Sequence, residues 1–208
     1  MNRSRPRSSK LAVPLVALAL LGAACGNDDN DEAAPQETEQ TTKLAGTEAT
    51  TATGAALGGR QDEFMAAAAA LDANSNALTE AIGSVFGAEA GKAFDPLWKK
   101  HIGFVVDYTQ GLAAKDQAKQ DKAVTDLVNY TKDFGAFLNS ALPELPADAV
   151  ADLVKTHILT LKDVIDAQSK NSLADAYTKL RTAADHMKAL ANPLADALVQ
   201  QFPDKFKA

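Results

Sequence analysis

The sequence predicts an all-α protein, an up-and-down antiparallel bundle of about five helices. Three observations carry that expectation. From Gln61 onward Ala, Leu, Asp, Lys and Val recur at helical spacing, and no segment shows the sustained alternation of a strand. Turn and cap signals interrupt this run near Gly87, Lys115-Asp116, Pro143–Pro146 and Asn171-Ser172. A shift of 56 residues then superimposes one part of the run on another, which predicts a duplicated two-helix unit.

The chain has 208 residues, of which 46% are hydrophobic, 23% charged and only 6% aromatic. That length suits one domain of about 150 residues with additions. With 12 Gly and 8 Pro it is not fibrous or wholly disordered. Its formal charge of −6 argues against nucleic acid as a partner. A single Cys excludes an internal disulfide framework and a Cys-rich metal site.

Residues 1–24 read as a lipoprotein signal peptide. Arg3, Arg5, Arg7 and Lys10 precede a 14-residue apolar run, residues 11–24, that ends in small side chains and stops at Cys25. A basic start, a short apolar stretch and a small-residue exit mark a secretory signal too short to span a bilayer comfortably. Leu21-Gly-Ala-Ala-Cys25 resembles the lipobox of bacterial lipoproteins, with Gly22 where that motif usually has Leu. The resemblance implies that Cys25 carries the lipid and becomes the first residue. Acyl chains would hold the protein at the extracytoplasmic face of the cell membrane without a spanning helix. Loss of residues 1–24 leaves 17 bases against 27 acids, a charge of −10 that does not favour an anionic lipid surface.

Residues 25–60 are expected to form the lipidated Cys and a disordered acidic tether. Residues 26–60 hold seven acids, two bases, much Thr, Ala and Gly, and almost no large apolar side chain. Such a stretch buries too little surface to offset its ordering entropy. Residues 61–208 are the helical bundle domain, with helices expected at 61–86, 89–114, 117–142, 147–170 and 173–201. Asp116 and Ser172 are suited to N-caps, and Asp95-Pro96 is an alternative start for the second helix.

The repeat pairs Leu97, Lys99, His101, Ile102 and Asp107 with Leu153, Lys155, His157, Ile158 and Asp163. It also pairs Ala118, Lys132, Leu138, Ala141 and Leu142 with Ala174, Lys188, Leu194, Ala197 and Leu198. The matched His carries weight because the chain has only 3 His. Asn74, Tyr130 and His186 occupy one equivalent position, and His101 and His157 another. In an antiparallel bundle, residues equally far from a turn stand at equal heights, and each of these neighbours flanks its turn at nearly equal distance. At about 1.5 Å per residue the mismatches are a few ångströms, so all five should share one mid-bundle layer.

Three inward imidazoles at one level suit a transition metal, Cu or Zn, at His101, His157 and His186, with Tyr130 or Asn74 as a further ligand or supporting group. A haem or small anion is a variant of that reading. The alternative is a metal-free hydrogen-bonded layer that sets register in a helical scaffold or interaction protein at the cell surface. No Glu or Asp lies three or four residues from any His on that face, which excludes the di-iron bundle pattern. There is no phosphate loop, no nucleophile elbow and no His-Glu-x-x-His pair, so an enzyme is not expected. Trp98 is read as packing, and Lys99-Lys100, Lys115 and Lys119 as solvated faces.

The stretch LTEAIGSVFGAEAGKAFDPLWKKHIGFVVDYTQGLAAKD, the central His within Leu153–Ile158, and AADHMKALANPLADALVQQFPDKF resemble an uncharacterised family of extracytoplasmic helical-bundle lipoproteins of Gram-positive bacteria. Some members are fused to copper-amine-oxidase-like N-terminal domains. The resemblance covers about residues 70–206 and is carried by LW-x-x-HI and HM…QFPDKF. It implies a helical bundle outside the cytoplasm and assigns no activity.

Overall fold

A computed structural model describes residues 48–205; the expected signal segment, Cys25 and the tether up to residue 47 lie outside the described residues. Within them the chain is all-helical, with no strand. A short helix α1 covers residues 48–57. It is followed by α2 (Gln61–Phe86), α3 (Ala88–Ala114), α4 (Gln117–Ala141), α5 (Ala147–Ser169) and α6 (Leu173–Gln201), and a 3-10 turn at Pro203–Lys205. The five long helices match the expected bounds to within one residue at every end, and α1 makes six.

α1 corrects the tether reading over its last residues. Residues 48–57 lack large apolar periodicity, which is why composition alone assigned them to the tether. Small side chains let this segment come close to its neighbour: Ala55 is wholly buried, and Ala52 and Thr53 are buried beside it.

The punctuation acts locally as its chemistry requires. Gly87 alone separates α2 from α3, at φ 97°, a conformation that side chains rarely adopt. Its N–H donates to the Gly83 carbonyl at 2.9 Å, and its own carbonyl accepts from Ala90 N–H at 3.0 Å. Asp116 caps α4, its carboxylate accepting from Lys119 N–H at 3.0 Å. Ser172 precedes α6, but its hydroxyl makes no capping bond. The alternative start at Asp95-Pro96 is not used. α3 runs through Pro96 because the preceding turn places Phe94, 1% exposed, against Trp98 and Phe137. That burial outweighs the backbone hydrogen bond the proline removes.

From α2 to α6 consecutive helices pack on one another, and α3 also meets α5. Facing residues lie symmetrically about each turn, as in antiparallel pairs. Ser75 meets Trp98 and Thr79 meets Asp95 about Gly87. Gly111 meets Gln120 and His101 meets Tyr130 about residues 115–116. The main core gathers Leu78 and Ile82 of α2, Phe94 of α3, Phe134 of α4, Ile158 of α5 and Leu190 of α6, and a smaller cluster joins Tyr108, Ala123 and Ile165.

Gly135 marks the closest approach of α4 and α5, where a Cβ would collide with the Ala147 carbonyl. Gly135→Ala is expected to destabilise the protein by about 1–3 kcal/mol through overpacking. Urea denaturation measures this, and an unchanged midpoint would mean that the two helices part without cost.

Candidate functional site

The His101-bearing face of α3 meets the Tyr130-bearing face of α4 through aromatic rings. Phe94, Trp98 and His101 on α3 have the same spacing as Tyr130, Phe134 and Phe137 on α4, and the antiparallel pairing sets the two series side by side. Phe94 stacks on Trp98 at 5.6 Å between centroids, and Trp98 lies 5.1 Å from His101. His101 stacks on Tyr130 at 5.1 Å, Tyr130 meets Phe134 at 5.6 Å, and Phe137 contacts both Phe134 and Phe94. Six rings thus form a closed circuit. Trp98 packs as expected, yet it also touches His101 and donates from Nε1 to Ser75 Oγ of α2 at 3.1 Å. Asn74 is buried next to Ser75 on the same helix.

On the other side, His186 Nε2 lies 3.1 Å from the Leu153 carbonyl, one helical turn before His157. Nε2–H is therefore the donor, which fixes the tautomer. His157 feels the charge of both other imidazoles. His101, His157 and His186 thus share one region of the bundle, and His101 and Tyr130 are in contact. Among the described residues no three His, Cys, Asp or Glu side chains converge closely enough to hold a metal ion.

The histidines are only half-buried, but Nδ1 of His101 and Nδ1 of His157 are fully buried and find no hydrogen-bond partner among the described residues. Removal from water pushes His101 down to about 4. Burial first, and then the neighbouring charges of His101 and His186, push His157 down to about 3. Both imidazoles are neutral at pH 7.

A second polar group lies farther along the groove between α3 and α5. Tyr108, 3% exposed, donates its hydroxyl proton to Asp166 Oδ1 at 2.6 Å. Lys162 Nζ donates to Asp166 Oδ2 at 2.7 Å and sits 5.3 Å from the Tyr108 ring centroid. Burial, and then the bond to Asp166, push the Tyr108 phenol up to about 12. Burial pulls the Lys162 ammonium down, but its hydrogen bonds to Asp166 and Tyr108 outweigh this and leave it raised. Between this group and His101 runs a cleft of about 20 Å³, lined by Val105, Ile158 and Ile165 among others, with room for about one water molecule. The Lys162–Asp166 pair was visible in the sequence as an i, i+4 spacing; its link to Tyr108 required the contact of α3 with α5.

No protein-family profile, no curated protein and no solved structure matches the chain.

The buried imidazoles make stability depend on pH. Above the ordinary imidazole value of 6.5 both the folded and the unfolded chain hold them neutral. Below it the unfolded chain takes up protons that the folded one refuses. Stability is lost from pH 6.5 downward until each folded value is reached, about 4 for His101 and about 3 for His157, at about 1.4 kcal/mol per pH unit for each group. Urea midpoints measured between about pH 7 and about pH 5 should fall accordingly. His101→Phe, which keeps a ring against Tyr130, should make that slope shallower. A midpoint that stays flat over this window would show that the imidazoles are hydrated.

Proposed function

We propose that this chain is a lipid-anchored helical scaffold or interaction protein at the extracytoplasmic face of the cell membrane, and not an enzyme. The imidazoles form a metal-free polar layer. One observation carries this reading: two of the three histidines are engaged within the protein. His186 is bound to the Leu153 carbonyl, and His101 is held between the Trp98 and Tyr130 rings. In such a layer the polar groups define which helix faces meet and at what height.

The anchor rests on Cys25 at the end of the apolar run, and the sequence stretches that resemble the Gram-positive extracytoplasmic family support the same location. The 56-residue duplication is part of this reading as well, and α4 and α6 begin 56 residues apart, at Gln117 and Leu173. The duplication would place His101 and His157 at equivalent points of α3 and α5.

The metal reading stays as a second one because of the unpartnered buried Nδ1 atoms of His101 and His157. Copper or zinc would take His186 through Nδ1, because its Nε2–H is bound to the Leu153 carbonyl.

Thermal melting with and without each metal separates the two readings. A metal-free layer gives an unchanged midpoint, whereas a bound metal at about a hundred times Kd adds about 2.7 kcal/mol by mass action. A metal-dependent rise in the parent, lost in His157→Ala, would replace the scaffold reading by the metal one. The anchor is tested separately. Cys25→Ser should leave the membrane fraction, and a variant that stays bound and is processed at the same site would overturn lipidation.

A further inference from the structure

α1 is joined to the bundle differently from the other helices. The main core contains no residue of α1. α1 instead rests on the C-terminal end of α5 through small side chains and one glutamine. Gln168 Nε2 donates to the Thr50 carbonyl at 3.1 Å, and Thr53 Oγ1 donates to Gln168 Oε1 at 2.9 Å. Leu57, half-buried, packs on the satellite cluster of Tyr108, Ala123 and Ile165. Tyr108 and Ile165 also line the cleft that continues to His101, so Leu57 packs on two residues that wall this cleft.

We propose that α1 is a displaceable strap that swings on Gly58-Gly59 and whose release uncovers the Tyr108 and Ile165 wall of this cleft. Gly59 sits at φ 68°, and the wide backbone freedom of two successive glycines suits this joint to a hinge. A helix that buries so few large apolar side chains is not stable alone in water, so release of the strap is local unfolding of α1. Glu48 Oε2 is buried in the docked state without a hydrogen-bond partner among the described residues, which weakens docking further. Because the main core lies wholly outside α1, α2–α6 stay folded when the strap leaves. The strap is independent of the lipid anchor and of any metal.

Native-state hydrogen exchange on the full chain tests this. Amides of residues 51–57 should exchange at least about tenfold faster than those in the middle of α4, as local opening requires. Gln168→Ala, which removes both bonds to α1, should speed exchange of residues 51–57 by about a further tenfold and leave α4 unchanged. Ala55→Leu overfills a wholly buried position and should release α1 outright. It should also raise binding of the apolar dye anilinonaphthalene sulfonate, as Tyr108 and Ile165 become exposed. Exchange of α1 in step with α4 in the parent, or equal acceleration of both in Gln168→Ala, would overturn the strap. Absence of any rise in dye binding by Ala55→Leu would overturn the uncovering of this wall.

Discussion

The ring circuit between α3 and α4 is the contact on which the arrangement of the candidate site depends. Its six members come from two stretches of equal spacing that run in opposite directions, so a shift by one helical turn would unpair most of them at once. Rings contribute both buried area and preferred geometry, which makes such a pairing more selective in register than an aliphatic seam. With α3 and α4 held at this height, the one-residue turn at Gly87 ties α2 to the same level. The bond from Trp98 to Ser75 joins that helix to the circuit. Through the α4–α5 contact at Gly135 the register reaches α5, and through His186 and Leu153 it reaches α6.

The same circuit sets the chemistry of the imidazoles. A histidine against Tyr130 and Trp98 has exchanged water for ring faces, and its neutral form is favoured. His157 is affected further by its two neighbours, since a positive charge on either discourages a proton on His157. Neutral imidazoles serve a packed polar layer and a metal equally well, so protonation state does not choose between them. Geometry bears on it: a shared metal needs the ring nitrogens aimed at one point, and among the described residues no such group of ligands converges.

Much of this was legible in the sequence. Helix bounds followed from Gly87, Asp116 and the Pro143–Pro146 loop, because those residues act on their own backbone and need no tertiary partner. The meeting of His101 with Tyr130 followed from counting residues to a shared turn. Where the sequence reading left an alternative open or erred, the deciding term was tertiary. Phe94 is drawn into the core and carries helix α3 through Asp95-Pro96, and Ala55 docks a segment that composition alone assigned to a tether. The convergence of three imidazoles was the finest claim, and counting heights cannot supply it. Height is one coordinate, whereas ligation depends on which way each helix is rotated. The carbonyl that occupies His186 lies on a neighbouring helix, 33 residues away in sequence, and nothing local in the chain announces it.

Where the chain enters and leaves the bundle has a mechanical meaning. α1 lies beside Gln168 near one pole, whereas the C-terminal end of α6 lies at the other, with Gln201 bonded to the Ala141 carbonyl and Phe202 edge-on to Phe86. A 25-residue helix such as α4 is about 38 Å long, so the two ends stand nearly that far apart. Tension between whatever precedes residue 48 and whatever is attached beyond Lys205 would run along the helix axes. It would load the α1–α5 contact in shear before reaching the rings at the centre.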